Sequence, residues 1–362
     1  MQKNISFFHK KLILWYLQNK RSLPWRDTIN PYFIWLSEIM LQQTRVAQGL
    51  PYYEKFVSTF PTVHQLASGS EEQVLKLWQG LGYYSRARNL HVTAKYVSTE
   101  LDGKFPTTFS DLLMLKGVGD YTASAIASIC FDEPTAVVDG NVYRVLSRFF
   151  GIDTPINSAK GIKEFKSLAQ ELIDATQPGT YNQAIMEFGA RYCVPKKPNC
   201  MECIFNDKCK AWDENRVEVL PVKLKKAKIR KRYFNYIVAL SEDQKTILQQ
   251  RTEKGIWQQL YEFPLIETET ETDLTTFRKL QKYKELSKSL KIETVSLYNE
   301  ASVVHKLSHQ HLHTRFWIAS VSEAPINIDS IKEKGVSIAK IRNYAVPVLI
   351  ENFISDFSAF KI

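Results

Sequence analysis

LLMLKGVGDYTASAIASI, residues 112–129, decides how the first half of this chain is read. Leu112, Leu113 and Leu115 predict a short apolar helix that ends at Lys116. Gly117-Val118-Gly119 predicts a tight turn, and from Tyr121 onward Ala and Ile recur on one face of a second helix. The pattern is a helix–hairpin–helix. Two glycines let backbone approach a phosphate closely with amide N–H groups aimed at it. The start of the second helix adds the favourable end of its dipole. Such a contact positions a nucleic acid and reads no bases. A Gly-x-Gly between helices is also compatible with a plain helix–helix turn, so its meaning depends on the rest of the chain. Cys130, on the apolar side of the second helix, reads as core.

Working outward, RYCVPKKPNCMECIFNDKC at 191–209 holds four of the five cysteines, Cys193, Cys200, Cys203 and Cys209. Pro195 and Pro198 keep the connecting backbone out of helix, so it can wrap. Four thiolates brought together can hold a tetrahedral zinc or an iron–sulfur centre. The usual zinc pattern has two CxxC pairs. One CxxC between longer arms better suits a larger, cubane-like centre. Two disulfides are the bland alternative, and nothing here suggests an oxidising compartment.

Leu12, Trp15 and Tyr16 give an opening amphipathic helix that Pro24-Trp25-Arg26-Asp27 breaks. Asn30-Pro31 then reads as an N-cap followed by proline at the first helical position. Glu38 sits in the very apolar helix that follows. A carboxyl desolvated there would have its pKa raised toward that of a general acid. Periodicity alone reads the same residue as a helix-surface glutamate. After the hairpin, PTAVVDGNV at 134–142 runs into a helix striped by Val142, Val145, Leu146 and Phe149, with Asp139 placed to cap it. Beyond capping, helix N–H groups could keep Asp139 ionised. Two carboxyls whose surroundings push their pKa values apart suit cleavage of a glycosidic bond. No strand-like alternation occurs before about residue 232, which predicts an all-α first domain.

The chain has 362 residues, long enough for two or three domains, and its formal net charge is +10. Residues 216–232, RVEVLPVKLKKAKIRKR, carry eight Lys/Arg against one Asp/Glu. Such a run is either a solvated linker or a surface for a polyanion such as DNA. No apolar run reaches membrane-spanning length and no signal-peptide pattern opens the chain, so the expected site is the cytoplasm, bacterial nucleoid included. From 233 the character changes to strands at 233–240, 246–250, 294–298 and 314–320, with helices within 267–291 and at 343–355. This predicts an α+β domain. GIWQQLYEFP at 255–264 resembles part of a Nudix-like fold, but no REx2EE cluster is present to hold magnesium. A recognition role is therefore expected there.

Taken together, WLSEIMLQQT at 35–44, GLGYYSRARNL at 80–90, the hairpin, VVDGNVYRVLSR at 137–148, the cysteine loop and the Nudix-like end resemble the adenine DNA glycosylases of the MutY family. The resemblance covers nearly the full chain. It implies an all-α helix–hairpin–helix catalytic region over 1–215, with a six-helix domain at about 29–134. It also implies a basic linker over 216–232 and an 8-oxoguanine recognition domain over 233–362. One 4Fe-4S cluster on the four cysteines is implied, as is a monomer acting on duplex DNA with A:8-oxoguanine or A:G mispairs. Glu38 would protonate the flipped adenine and Asp139 would stabilise the sugar cation or capture it covalently, with Tyr121 and Asn141 aligning them. Trp25, Arg26 and Gln183 map onto the adenine pocket. Gln43 and Tyr83 map onto the residues that fill the stack, with Leu81 in the same binding set, and Thr44 lies by the orphan base. Gly117 and Gly119 would meet phosphate. Leu307-Ser308-His309 corresponds to the loop that reads 8-oxoguanine, although the family's phenylalanine is Leu307 here.

Two other functions fit parts of the sequence. A bifunctional glycosylase-lyase like endonuclease III needs a hairpin lysine where this chain has Tyr121. A non-catalytic iron–sulfur DNA-binding module needs neither Glu38 nor Asp139.

Overall fold

The computed structural model describes residues 2–224, 229–322 and 333–361. The chain divides into two compact units, one of Met1–Gly69 with Arg88–Lys225 and one of Ser70–Ala87 with Lys226–Ile362. Up to residue 224 the described residues hold no strand. The helices are α1 (Gln2–Asn19), α2 (Pro31–Leu41), α3 (Val46–Thr59), α4 (Val63–Ser68), α5 (Glu71–Leu77), α6 (Ser85–Glu100), α7 (Phe109–Leu112), α8 (Asp120–Phe131), α9 (Gly140–Phe150), α10 (Ala159–Leu172), α11 (Pro178–Arg191) and α12 (Lys210–Asp213).

Their starts follow from capping chemistry. Asn30 accepts from the Tyr32 N–H and Pro31 occupies the first turn of α2. Thr62, Ser70, Thr108 and Ser158 cap α4, α5, α7 and α10 by their hydroxyls. The core of the first unit gathers α1, α9, α10 and α11. Phe8, Leu12 and Trp15 meet Val142, Val145, Leu146 and Phe149, the stripe that periodicity predicts, and Phe188 closes the group. That stripe recurs at three and four residues, so one face of α9 is apolar and its N-terminus is free to serve a cleft.

The second unit is built on one eight-stranded sheet. Strands β1 (Arg230–Ser241), β2 (Lys245–Gln250), β3 (Tyr261–Glu262), β4 (Leu265–Thr268), β5 (Ile292–Leu297), β6 (Val303–Lys306), β7 (Gln310–Val321) and β8 (Glu333–Ser337) make it up. Its main path is β3-β2-β1-β7-β5, with β4 on β1, β6 on β7 and β8 on β2. β1 and β7 pair in parallel from Arg230↔Gln310 to Ser241↔Val321, and the other pairings are antiparallel. Helices α13 (Leu274–Lys279) and α14 (Gln281–Ser289) cover one face, where Phe277 stacks on Trp317 at 4.2 Å. Helix α15 (Val348–Asp356) follows the 3-10 turn Ile338–Asn343 and lays Phe353 on Phe316 at 4.0 Å. β1 begins at Arg230, inside the basic run, and Lys225, Lys226 and Lys228 of that run lie outside the described residues.

Candidate active site

α2 is buried on almost every side, from Tyr32 through Met40. A helix surrounded by core has no solvated face. This rules out the helix-surface reading of Glu38, which is 8% exposed. Burial raises its carboxyl, a hydrogen bond from Tyr121 lowers it, Asp139 raises it again, and the result is about 7. The Tyr121 hydroxyl also lies 3.2 Å from Met186 Sδ, which competes for its single proton. Burial and the two nearby carboxyls push its phenol well above the usual tyrosine range.

Asp139 caps α9. Its Oδ1 accepts from the N–H groups of Asn141 at 2.9 Å and Val142 at 2.8 Å, and its Oδ2 accepts from Asn141 Nδ2 at 2.7 Å. Burial raises its pKa above the ordinary aspartate value, and these three donors and the charge of Arg144 offset that only in part. Arg144 was not foreseen from the sequence. Its Nη2 donates to Asn141 Oδ1 at 2.9 Å and Gly189 O at 2.6 Å, and its Nε donates to Cys193 O at 2.7 Å. Its place three residues beyond Asn141, on the same helix face, was the available signal. α11 comes close enough for this because Gly189 has no side chain. A Cβ there would lie 2.7 Å from Asn141 Cβ. Asn182 ties the entry to α9, accepting from Val137 N–H and donating to Thr135 O and Ser128 Oγ.

Glu38, Asp139, Tyr121 and Asn141 line one cleft of about 720 Å³, together with Gln43, Thr44 and Gly119. The first turn of α8 forms one rim. Gly117 has φ +82°, and a Cβ on it would meet Asn89 at 2.7 Å, so this turn demands glycine. Gly119 is different: it precedes α8 with ordinary backbone and open space around its missing Cβ. Gln43 has φ +56°, an uncommon setting for a residue with a side chain.

The remaining predicted residues lie outside the cleft lining. Arg26 and Arg21 both grip the buried Glu187, at 2.7 and 2.5 Å. Burial opposes ionisation of Glu187, but the two arginines outweigh it and bring it down to about 2. Arg26 also lies over the Tyr16 ring at 5.5 Å, and Tyr16 donates to Gln183 Oε1 at 2.6 Å. Trp25 is buried against Tyr53. The charge of Arg26 still reaches Glu38 and favours its anion.

The four cysteines of the loop line a separate cavity of about 30 Å³ with Arg148 and Tyr192. None of the five cysteines is in a disulfide. Arg148 donates to Val194 O at 2.8 Å and Pro195 O at 3.1 Å and reaches Cys193 Sγ at 3.5 Å. Burial first, then neighbouring thiols, raise Cys200, Cys203 and Cys209, with Cys203 at about 12. Among the described residues no group of three or more His, Cys, Asp or Glu is drawn together as a metal-ion site.

In the second unit, Leu307-Ser308-His309 forms the turn between β6 and β7, closed by Leu307 N–H donating to Gln310 O at 2.8 Å. Ser308 and His309 are exposed and Leu307 is half-buried. Tyr83 is 47% exposed with φ +50°, whereas Leu81 is 4% exposed and packs beneath its loop rather than facing outward. Glu262, on β3, is saturated by Tyr236 OH at 2.8 Å and Arg251 at 2.6 Å. No described helix is long and apolar enough to cross a membrane.

A hairpin presenting amides beside a cleft with two buried carboxyls defines a class. Residues 36–172 match the HhH-GPD superfamily of base excision DNA repair proteins, and residues 235–356 match the NUDIX domain. A thermostable thymine-DNA glycosylase superposes with a TM-score of 0.55 at 28% identity, covering 59% of this chain and 98% of that one. Endonuclease III in a non-covalent DNA complex superposes with a TM-score of 0.52 at 19% identity and shares the fold. The particular family follows from sequence. An adenine DNA glycosylase of Buchnera aphidicola from Schizaphis graminum is 36% identical over 85% of this chain and 86% of its own length. The Homo sapiens adenine DNA glycosylase is 45% identical over 59% of this chain, which spans 40% of that longer protein. The chain belongs to the MutY family of adenine DNA glycosylases, and DNA is its partner.

Proposed function

We propose that this enzyme removes adenine from A:8-oxoguanine and A:G mispairs in duplex DNA by hydrolysis. The observation that carries the reading is the pair of buried carboxyls in one cleft, Glu38 at about 7 and Asp139 held by three donors. Adenine flips out of the stack to reach them. Glu38, whose raised pKa keeps its acid form available near neutral pH, gives its proton to N7, and the bond to the sugar weakens. Asp139 is the anion that offsets the developing cation, on the other side of the sugar. Asn141 and the N-terminus of α9 favour that anion, and Arg144 holds Asn141 in place. Glu38 then takes a proton from the attacking water. Tyr121 stands where a lyase would need an amine and supplies none, so no Schiff base forms. Trp25, Arg26 and Gln183 support the adenine side, while Gln43, Thr44 and Tyr83 support the opened stack. Gly117 and Gly119 open the backbone of the hairpin to a phosphate.

Residues 1–215 form the catalytic region in this reading, 216–232 the basic linker and 233–362 the reader of 8-oxoguanine. Ser308 and His309 offer exposed hydrogen-bonding groups to the lesion. The cysteine cavity, with four thiols and no competing His or carboxylate in its lining, fits one 4Fe-4S cluster. When bound, the cluster supplies the positive charge that holds these raised thiols as thiolates and ties the loop together. The enzyme acts as a monomer.

Single-turnover excision on duplexes carrying A opposite 8-oxoguanine, G or C tests the reading. Excision should be fastest opposite 8-oxoguanine and negligible opposite C. Equal rates on all three, or a borohydride-trapped adduct, would overturn it.

A further inference from the structure

Tyr83 is an exposed aromatic ring on a strained loop. Gly80 and Gly82 have φ of +97° and +77°, which glycine adopts readily, and Tyr83 has φ of +50°, an uncommon setting for a residue with a side chain. Internal contacts fix the loop. Trp78 Nε1 donates to Gly82 O at 2.9 Å, and Gly80 N–H donates to the Tyr84 hydroxyl at 3.2 Å. Arg86 lies over both the Trp78 and Tyr83 rings, at 5.4 and 5.2 Å. A rigid, outward ring of this kind is a stacking platform for a base.

The loop is carried by α5, and α5 is stapled to residues more than two hundred and fifty positions away. Gln79 Nε2 donates to Glu351 Oε2 at 2.7 Å, and Gln79 Oε1 accepts from Val346 N–H at 3.3 Å. Lys76 Nζ donates to Tyr344 O at 3.0 Å and to Gln79 Oε1 at 2.9 Å. The 344–346 segment is itself fixed to the sheet, since Tyr261 N–H of β3 donates to Ala345 O at 2.8 Å and the Tyr261 and Tyr344 rings meet at 4.8 Å. That sheet also carries the β6–β7 turn at Leu307–His309. We propose that Gln79, Lys76 and Glu351 are positioning residues that lock the Tyr83 platform to the sheet bearing Ser308 and His309. The ring that enters the stack and the turn that reads the lesion are then set at one fixed spacing. The inference rests on the stacking role given to Tyr83 above, and adds what aims it.

The test uses the full-length protein and a duplex in which a 2′-fluoro-substituted, uncleavable deoxyadenosine faces 8-oxoguanine, with fluorescent 2-aminopurine beside the 8-oxoguanine. Wild-type binding should raise the fluorescence as the stack opens, and Tyr83→Ala should abolish that rise. Gln79→Leu and Glu351→Leu should each lower it about threefold or more, and the double variant should be no worse than either, the mark of a shared interaction. Glu351→Gln keeps an acceptor for Gln79 and should retain the rise. Melting curves for each variant establish that it is folded, and Gln79→Leu, at a half-buried position, serves if Glu351→Leu is not. A full rise in both leucine variants with Tyr83→Ala silent would overturn the inference alone. An undiminished rise in Tyr83→Ala would overturn the stacking role and the inference with it.

Discussion

Glu38 and Asp139 are both buried acids, but their surroundings ask different things of them. Glu38→Gln cannot move a proton and Asp139→Asn cannot offset a sugar cation. Each should slow single-turnover excision by about 10²-fold or more while the mismatched duplex still binds. If Asp139→Asn keeps wild-type rates, Asp139 is a helix cap and nothing more. The pH profile follows from Glu38. Its acid form is depleted above about 7, so wild-type excision should fall as pH rises beyond that point. The same raised pKa acts on stability. A carboxyl raised in the folded state contributes most below its unfolded value of 4.5, and that contribution is lost as pH rises through about 7. Glu38→Gln should therefore be more stable than wild type at pH ~8, by up to about 3 kcal/mol at 1.36 kcal/mol per unit, with a smaller gain at pH ~5. Urea titrations at both pH values measure it. Asp139 was legible in the sequence, because an aspartate before a striped helix is a local signal. The burial of Glu38 was not, because it depends on what packs around α2. Met186 carried no local signal at all.

The hairpin gives a contrast between two glycines two residues apart. Gly117→Ala places a Cβ against Asn89 in a left-handed turn, and should cost about 1–3 kcal/mol in a denaturation series. Gly119→Ala meets open space, so the fold should hold within about 0.5 kcal/mol. If its amide faces a phosphate, DNA affinity should nevertheless fall, by titration of a labelled duplex. Unchanged affinity in Gly119→Ala would take the phosphate away from this turn. Helices of the first unit were legible because their caps and apolar stripes lie within a few residues of each other. β3, β4, β6 and β8 were missed. They are two to five residues long, too short to show an alternation of their own.

Charge acts on the scale of the whole molecule. Replacing Lys225, Lys226, Lys228, Arg230 and Lys231 by Gln should flatten the slope of log affinity against log salt by up to about 4, if each charge meets a phosphate. A slope that does not move would turn these charges away from DNA. Composition made the basic run visible, and the shift in residue pattern after it marked the second domain. That residues 70–87 belong with the C-terminal sheet was not visible, since the link is made by side chains nearly the whole chain apart.

The staple between α5 and the C-terminal segment also sets an order of events at the ribosome. Gln79 emerges 272 residues before Glu351. At roughly 5–20 residues per second, α5 and its loop wait on the order of ten seconds to a minute for the residues that hold them. Until then the strained turn at Gly80–Tyr83 has none of its distant supports, so it is among the last parts of the molecule to reach its final form. A premature stop between Cys209 and Tyr344 would leave a chain with its cleft residues and cysteine loop fully translated, but without the staple.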